Sequence, residues 1–174
     1  PPNSLPGAVQ AYRSTGKGNV IDGVEVEASG QIVRQWNLTA GYSHTRSRNA
    51  QGVAINTVIP RNLLRVFTSY RFGADSQYAL GGGVNWQSNL WNTAQKPTGS
   101  YNASGAPVTS LSRIEQGSVW LANLMASYRI NKNLTASVNL NNVFNKIYYN
   151  RVGFYNGLHY AEPRTASATL RATF

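Results

Sequence analysis

The sequence predicts an all-β protein, an antiparallel transmembrane β-barrel segment built from seven long strands. Three observations predict it. Apolar and polar residues alternate over long segments, the connections between the segments alternate between short and long, and aromatic residues cluster at the segment ends. Alternation with a period of two indicates a strand with one apolar face. Strands of about ten residues exceed the usual globular length and match tilted strands that cross a bilayer.

The seven segments follow one another from about residue 20 to the C-terminus. The residues predicted on their apolar faces are, strand by strand, Val24, Val26, Ala28 and Ile32; Trp36, Leu38, Ala40 and Tyr42; Leu64, Val66, Thr68, Tyr70 and Phe72; Tyr78, Leu80, Gly82, Val84 and Trp86; Trp120, Ala122, Leu124, Ala126, Tyr128 and Ile130; Leu134, Ala136, Val138 and Leu140; and Ala166, Ala168, Leu170, Ala172 and Phe174. On the opposite face of the first strand, we expect Glu25 and Glu27 to pair with arginines such as Arg65, Arg71 or Arg129.

Turn-forming residues set the limits of the strands. Pro60 ends the polar stretch before the third strand, because proline cannot donate to a strand ladder. Gly73-Ala74-Asp75-Ser76 and Asn131-Lys132-Asn133 are tight turns by their residue types. Residues 81–83 are three glycines inside the fourth strand. Such glycines mark either a bend or the close approach of another segment, and we expect the bend.

Connection length alternates strictly along the chain. Short connections fall near residues 34, 74 and 132, whereas long ones span 46–61, 89–115 and 145–163. Outer-membrane barrels have short periplasmic turns and long extracellular loops, so this asymmetry favours a barrel. The aromatic residues agree, because rings at two levels suit the two membrane interfaces. Those beside short turns are Trp36, Tyr70, Phe72, Tyr78, Tyr128 and Phe174, and those near the long loops are Trp86 and Trp120.

Composition narrows the classes of function. The 174 residues carry a net charge of +10, include no cysteine and contain no run of eighteen apolar residues, which excludes a helical membrane span. Ten of the sixteen basic residues lie in or beside the long loops, without forming a run or a nucleic-acid-binding motif, so we predict no nucleic-acid partner. Anionic lipid headgroups or an anionic ligand explain the charge equally well. The two histidines, His44 and His159, have no metalloprotease spacing, and we predict neither an enzyme nor a metal site.

Seven strands alone leave the architecture open. Bacterial barrels have an even number of strands, and an open sheet edge is not tolerated in lipid. Either an eighth strand lies between Ala8 and Ser14, which would give a complete small eight-stranded outer-membrane barrel with a structural or adhesive role, or the chain is the end of a larger barrel. A different alternative is a soluble carbohydrate-binding β-sandwich with exposed tryptophans. The first residue is Pro1, and we expect the chain to be part of a longer protein.

Several motifs carry a resemblance to a known family. Residues 139–149 read Asn-Leu-Asn-Asn-Val-Phe-Asn-Lys-Ile-Tyr-Tyr, residues 153–156 Gly-Phe-Tyr-Asn, residues 160–164 Tyr-Ala-Glu-Pro-Arg, and the chain closes with Leu-Arg-Ala-Thr-Phe. Together with Gly-Val-Glu-Val-Glu-Ala-Ser-Gly at 23–30, this order resembles the C-terminal barrel portion of TonB-dependent ferric-siderophore receptors. Asn145, Ala161 and Ala172 depart from the Asp, Gly and aromatic residues that are common there.

The resemblance implies a barrel of about 22 strands around an N-terminal plug domain, the size of plugged outer-membrane transporters. Residues 1–174 would be the C-terminal part of that barrel, about its last third, with the plug domain absent. The implied protein lies in the bacterial outer membrane, among its lipid and lipopolysaccharide. It imports a ferric siderophore, most similar to the hydroxamate or pyoverdine types, with energy that the TonB-ExbB-ExbD system delivers through the plug.

Candidate ligand-binding residues lie in the second and third long loops. A siderophore carries its own iron ligands, so its receptor needs aromatic walls and a few cations, with no cofactor and no protein metal site. The six candidates are Trp91 and Tyr101 in the second long loop, and Tyr149, Arg151, Tyr155 and Tyr160 in the last.

Overall fold

The computed structural model describes residues 18–154 and 157–174. The strands in this part of the chain are β1 (Val20–Val33), β2 (Trp36–Arg48), β3 (Asn62–Phe72), β4 (Tyr78–Gln87), β5 (Leu90–Tyr101), β6 (Pro107–Gln116), β7 (Val119–Arg129), β8 (Leu134–Asn141), β9 (Tyr149–Phe154), β10 (Gly157–Tyr160) and β11 (Thr165–Ala172). One antiparallel sheet has the order β1-β2-β3-β4-β7-β8-β11. These are the seven strands that the alternation predicts, and the all-β antiparallel prediction is confirmed. The eighth strand suggested at residues 8–14 lies outside the described residues.

Cross-strand register joins the predicted apolar faces into one surface. One continuous row of directly opposed residues is Ala28, Ala40, Val66, Val84 and Ala122. Opposed residues lie on the same face of a sheet, and the pairs of Leu140 with Leu124 and Ala166 continue this face to β8 and β11, so the apolar residues of the ladder share one side. On that side, Leu124, Val138 and Leu170 are 52%, 52% and 67% exposed. A β-sandwich would enclose these side chains under a second sheet, so the β-sandwich interpretation is wrong.

Aromatic side chains form two rows across the apolar face. Near the short turns, Tyr70, Phe72, Tyr78 and Tyr128 stack in sequence, with ring centroids 6.4, 5.5 and 5.0 Å apart. Near the long connections, the Trp86 and Trp120 rings lie 5.7 Å apart. Tyr78 and Trp86 are separated by eight positions of β4, about 27 Å along the strand and about 20 Å along the normal at a 40° tilt. This spacing is close to the roughly 25 Å apolar band of an outer-membrane barrel.

The three glycines of β4 mark a close approach rather than the expected bend. Pairing with β3 and β7 continues without a register shift through residues 81–83. On the polar face, a Cβ at Gly81 would lie 2.9 Å from the Phe67 ring and 3.2 Å from the Met125 methyl group, and one at Gly83 would lie 3.0 Å from the Phe67 ring. The Phe67 ring therefore crosses β4 at positions where any side chain would displace it. Gly82, on the apolar face, has room for a methyl group.

The predicted pairing of Glu25 and Glu27 with arginines is wrong. The ion pairs in the described part of the chain join Arg46 and Arg48 to Asp22, and Arg113 to Glu115. The strand register gives the reason for Arg65. Glu27 on β1 is opposed to Gly41 on β2, which is opposed to Arg65 on β3, so the backbones of Glu27 and Arg65 are two strand spacings, about 9.6 Å, apart. The glutamates instead line a polar concavity of about 560 Å³ together with Arg65.

The two long loops that follow β4 and β8 contain further strands. We expected irregular connections at 89–115 and 145–163, but β5 pairs with β6 and β9 pairs with β10 as two separate hairpins. The short turn before β4 is a single 3-10 turn, Ala74–Ser76, whose Asp75 carbonyl accepts a hydrogen bond from the Arg129 guanidinium. Within residues 18–154 and 157–174, no helix has the length and apolar character needed to cross a membrane.

Candidate ligand-binding site

All three long connections lie at one rim of the sheet, beyond the tryptophan row, and they hold one another in place. The backbone N–H of Trp91 donates to the Thr57 carbonyl at 2.8 Å, which ties the second connection to the first. The backbone N–H of Tyr149 donates to Gln116 Oε1 at 2.9 Å, which ties the third to the second. The rim is therefore a packed unit in which each hairpin positions its neighbour.

A small apolar core fixes the bases of the two hairpins. Leu90, Ala94, Val119 and Val152 are the buried hydrophobic residues of the described chain. In β5 the alternation turns Leu90, Asn92 and Ala94 toward β9, and Asn92 Nδ2 donates to the Gly153 carbonyl at 3.2 Å. Strand alternation thus leaves the opposite face of β5, which includes Trp91, available for other contacts.

Trp91 forms a cation–π pair at the base of β5. The Arg113 guanidinium carbon lies 4.4 Å from the centre of the Trp91 ring system, and the guanidinium also forms an ion pair with Glu115 at 2.9 Å. Trp91 lines a recess of about 120 Å³, hereafter the Trp91 recess, together with Ile59 and Arg61. An aromatic surface beside two cations suits an anionic or aromatic ligand.

Tyr149 and Tyr160 face each other across the β9–β10 hairpin. Their ring centroids are 4.8 Å apart, and the Tyr149 hydroxyl donates to the Tyr160 hydroxyl at 3.4 Å. This hydrogen bond and the charge that Tyr160 can carry raise the pKa of Tyr149, while burial and the Glu162 carboxylate raise the pKa of Tyr148. Tyr148 and Tyr149 therefore stay protonated at neutral pH and present a neutral aromatic surface with hydroxyl groups.

Arg151 lines a second recess, hereafter the Arg151 recess, of about 800 Å³ between the first and third connections. Its wall combines apolar side chains of residues 58–60 with Asn92, Asn150 and Arg151. Ile59 lines both recesses, so the structure brings Trp91 and Arg151 to either side of one apolar side chain. The larger recess is of the size that a small chelate occupies in ligand sites.

One of the six predicted residues, Tyr101, is not brought into this arrangement. Tyr101 lies at the far end of β5, ten residues from Trp91, which at about 3.3 Å per residue is up to roughly 33 Å away. It is 73% exposed. Tyr155 lies outside the described residues, so its predicted role stays a prediction.

Sequence reasoning missed the residues that hold the rim together. Asn142 is 5% exposed and has a φ of +50°; its Oδ1 accepts from the Lys146 backbone N–H at 2.8 Å, and its Nδ2 donates to the carbonyls of Lys146 at 2.9 Å and Glu162 at 3.3 Å. Asn145, at φ +51°, accepts the Arg164 N–H at 3.0 Å. The Asn-Val-Phe-Asn segment is therefore the junction between β8, the last hairpin and β11.

The β5–β6 hairpin could have been predicted from the sequence, because apolar and polar residues alternate on both sides of the turn residues Asn102-Ala103-Ser104-Gly105.

Gly153 is the tightest contact between the hairpins. Its φ is +72°, and a Cβ there would lie 2.5 Å from Asn92 Nδ2 and 2.7 Å from Asn92 Cβ. We expect Gly153→Ala to weaken docking of β9 against β5 by about 2 to 4 kcal/mol, because left-handed strain and overpacking add. Amide hydrogen exchange of residues 149–160 in the complete protein measures this.

Gly99→Ala is the matched control for that experiment. Gly99 has a φ of +84° but nothing within 4 Å of its added Cβ, so it isolates the conformational strain from the packing. Exchange of 149–160 should stay at the wild-type rate in Gly99→Ala. Equal exchange in Gly153→Ala and wild type would contradict the contact between the hairpins.

The site contains no cluster of metal ligands in the part of the chain that the structure describes: no three His, Asp or Glu side chains are grouped to hold an ion. The chemistry on display at the rim is recognition by aromatic rings, guanidinium groups and amides.

Comparisons with known proteins identify the family to which this architecture belongs. Residues 1–143 match the family model described as TonB dependent receptor-like, beta-barrel. The chain is 38% identical over 153 residues to the ferripyoverdine receptor of Pseudomonas aeruginosa and 40% identical over 153 residues to the ferric-pyoverdine BN7/BN8 receptor of Pseudomonas putida. Each match covers 87% of this chain; the first covers 18% of its relative and the second covers 17%.

The crystal structure of the outer-membrane ferripyoverdine receptor of Pseudomonas aeruginosa bound to ferripyoverdine superposes with a TM-score of 0.75 at 36% identity, over 88% of this chain and 19% of that one. The chain thus spans about a fifth of the length of these relatives. The strand order, the register of the apolar face and the match to the family model agree, and the chain belongs to the TonB-dependent receptor-like β-barrel family.

Proposed function

We propose that this chain is the C-terminal part of the barrel of an outer-membrane receptor that takes up ferric siderophores, and that its siderophore is of the pyoverdine type. The observation that carries the proposal is the 38% to 40% identity to ferric-pyoverdine receptors over 87% of the chain. The protein lies in the bacterial outer membrane, with its apolar face toward lipid and lipopolysaccharide and its polar face toward the barrel interior.

The remainder of the receptor supplies what these residues do not. Strands outside this chain complete the barrel on both sides of the seven-stranded sheet, since an open edge in lipid leaves backbone groups unpaired. A plug domain occupies the interior, and TonB-ExbB-ExbD acts on that plug. Arg65 and the two glutamates of β1 belong to the wall that faces it.

The rim recognises the chelate through side chains, and iron arrives inside the ligand without a resident cofactor. Trp91 with Arg113 offers a flat aromatic surface and a positive charge, Tyr149 with Tyr160 offers a second aromatic surface, and Arg151 adds a cation at the larger recess. Iron-bound chelates that are anionic and carry aromatic groups match this set. The role is transport rather than catalysis.

The test uses the complete receptor in a strain that lacks its own ferric-pyoverdine receptors. Iron-55 supplied as ferric pyoverdine should accumulate in cells that express the receptor and should stop when TonB is deleted. Iron-55 supplied as ferric citrate is the control and should not accumulate. Uptake of neither chelate by correctly assembled receptor would refute the proposed ligand class, and uptake that persists without TonB would refute the energy source.

Point variants locate the ligand on the rim. Trp91→Ala and Tyr160→Ala should each weaken binding of ferric pyoverdine to purified receptor roughly threefold to tenfold, the range expected for loss of one aromatic contact. Leu111→Ala is the control, because Leu111 lies on β6 and is 71% exposed. Unchanged affinity in both aromatic variants would remove these residues from the site.

A further inference from the structure

Two arginines of β2 lie on the lipid-facing side of the sheet. The ladder between β1 and β2 is regular from Val20 to Gln31 and pairs Val20 with Arg48, Asp22 with Arg46, and Val26 with Tyr42. Positions that differ by an even number share a face, so both arginines lie on the face that carries Tyr42. Their side chains therefore do not face the barrel interior, where an imported ligand would pass.

The arginines lie above the upper aromatic row. Tyr42 belongs to the row that continues through Leu64 to Trp86 and Trp120. Arg46 is four residues farther along β2 toward the long connections, about 13 Å along the strand. The polar region of a bilayer extends about 5 to 8 Å beyond the hydrocarbon on each side. The long, flexible arginine side chains can reach back toward this region, so the pair stands at headgroup level.

Asp22 holds the two guanidinium groups together. Arg46 donates to Asp22 Oδ2 from Nη2 at 2.7 Å and from Nε at 3.1 Å, and Arg48 Nη2 donates to Oδ1 at 2.9 Å. The hydrogen bonds from Arg46 and then Arg48 lower the pKa of Asp22, so the carboxylate stays ionised at neutral pH. Two like charges are thereby fixed beside one another, and the three residues carry a net charge of +1.

Most of the donor capacity of the pair is still unused. A guanidinium group has five N–H donors, and Asp22 takes two from Arg46 and one from Arg48. Arg48 Nε is buried and has no hydrogen-bond partner within the described residues, whereas the two arginine side chains are 50% and 44% exposed overall. The donors that can reach a ligand are therefore the remaining terminal N–H groups. Paired planar guanidinium groups with free N–H donors match the oxygens of a phosphate group.

We propose that Arg46 and Arg48, positioned by Asp22, bind a phosphate group of a lipopolysaccharide molecule in the outer leaflet. This inference rests on the proposed membrane location, because only that location brings phosphorylated lipid beside this face. The glycolipid acyl chains would lie along the apolar surface below, next to Val24 and Val26, which are 63% and 60% exposed. The site is separate from the rim recesses, which are lined by other residues.

The experiment measures retention of lipid A by the complete receptor in phosphatidylcholine nanodiscs. Native mass spectrometry counts the bound lipid A as diphosphoryl lipid A or its dephosphorylated form is titrated in. Wild type should bind diphosphoryl lipid A, and Arg46→Gln/Arg48→Gln should bind it roughly tenfold or more weakly, since several charge-assisted hydrogen bonds are lost. Arg46→Gln alone should give an intermediate loss. Dephosphorylated lipid A should bind wild type weakly. Its affinity for wild type should be no higher than the affinity of diphosphoryl lipid A for the double variant.

Arg34→Gln/Lys132→Gln is the matched control, because it removes the same charge from the short turns at the opposite rim. This control variant should bind lipid A as wild type does. Inorganic phosphate at 10 mM, roughly the dissociation constant of a weak site for a free ion, should not displace the lipid. Equal binding by the double variant and wild type, or equal binding of both lipid forms, would overturn the inference. Ferric-pyoverdine uptake and outer-membrane assembly are measured in the same strains; if both persist while lipid A binding is absent from wild type, only this inference fails.

Discussion

Leu124→Arg is expected to destabilise the assembled barrel by about 2 to 4 kcal/mol, the cost of arginine on a lipid face at the bilayer midplane. Leu124 lies on β7 midway between Trp120 and Tyr128, four residues from each aromatic row, and its side chain is 52% exposed on the apolar surface. The guanidinium is too far from either interface to reach water without cost. Urea unfolding of the complete receptor in liposomes, followed by its heat-modifiable mobility, measures the loss.

Asn139→Arg tests whether the effect depends on the face of the sheet. Asn139 is directly opposed to Met125, the neighbour of Leu124, but belongs to the polar face that lines the interior concavity. The same guanidinium there should change stability by less than about 1 kcal/mol, because it remains hydrated. If the two variants were equally stable, the apolar surface would not be in contact with hydrocarbon.

Asn142→Ala should destabilise the rim by about 3 to 5 kcal/mol. The buried side chain makes three part-buried hydrogen bonds to backbone groups of Lys146 and Glu162, and each unsatisfied group costs about 1 to 3 kcal/mol. Alanine also disfavours the positive φ at this position, by about 1 kcal/mol or more. Hydrogen exchange of residues 143–165 in the complete receptor should increase, while exchange in β2 and β3 stays unchanged.

Two conservative variants separate the contributions. Asn142→Asp keeps the acceptor for the Lys146 N–H and tolerates positive φ, but loses both donated bonds, so about half of the destabilisation should remain. Asn145→Asp keeps the acceptor for the Arg164 N–H and should be neutral within about 0.5 kcal/mol. A stable Asn142→Ala variant would show that β8 and β11 hold the junction without this side chain.

The sheet was predictable because it depends on a local rule. Val26, Leu124 and Leu170 are each apolar within an alternating segment, and a strand with one lipid-facing side requires that pattern whatever its neighbours are. The aromatic rows follow from the same positions. The turn at Gly73 was also evident, because residue type determines such turns.

The rim was less predictable because it depends on contacts between distant segments. The approach of Gly153 to Asn92, the hydrogen bond from Tyr149 to Gln116 and the cation–π pair of Trp91 each join residues that are far apart in sequence or on separate strands. The glycines of β4 were misread for the same reason, since the Phe67 ring that crosses them comes from β3. Trp91, Tyr149, Arg151 and Tyr160 stay predicted ligand residues, as do Tyr101 and Tyr155.

The scarcity of buried hydrophobic residues has a consequence for how this protein reaches its native state. Within the described chain only Leu90, Ala94, Val119 and Val152 are buried hydrophobics, while the broad apolar surface of the sheet has no protein partner. The hydrocarbon tails then form the other half of the core, so burial of the apolar surface stabilises the fold only after the strands enter the bilayer. Conformational ordering and entry into the bilayer are for this reason a single thermodynamic event, and the solvent is as much a determinant of the structure as the sequence.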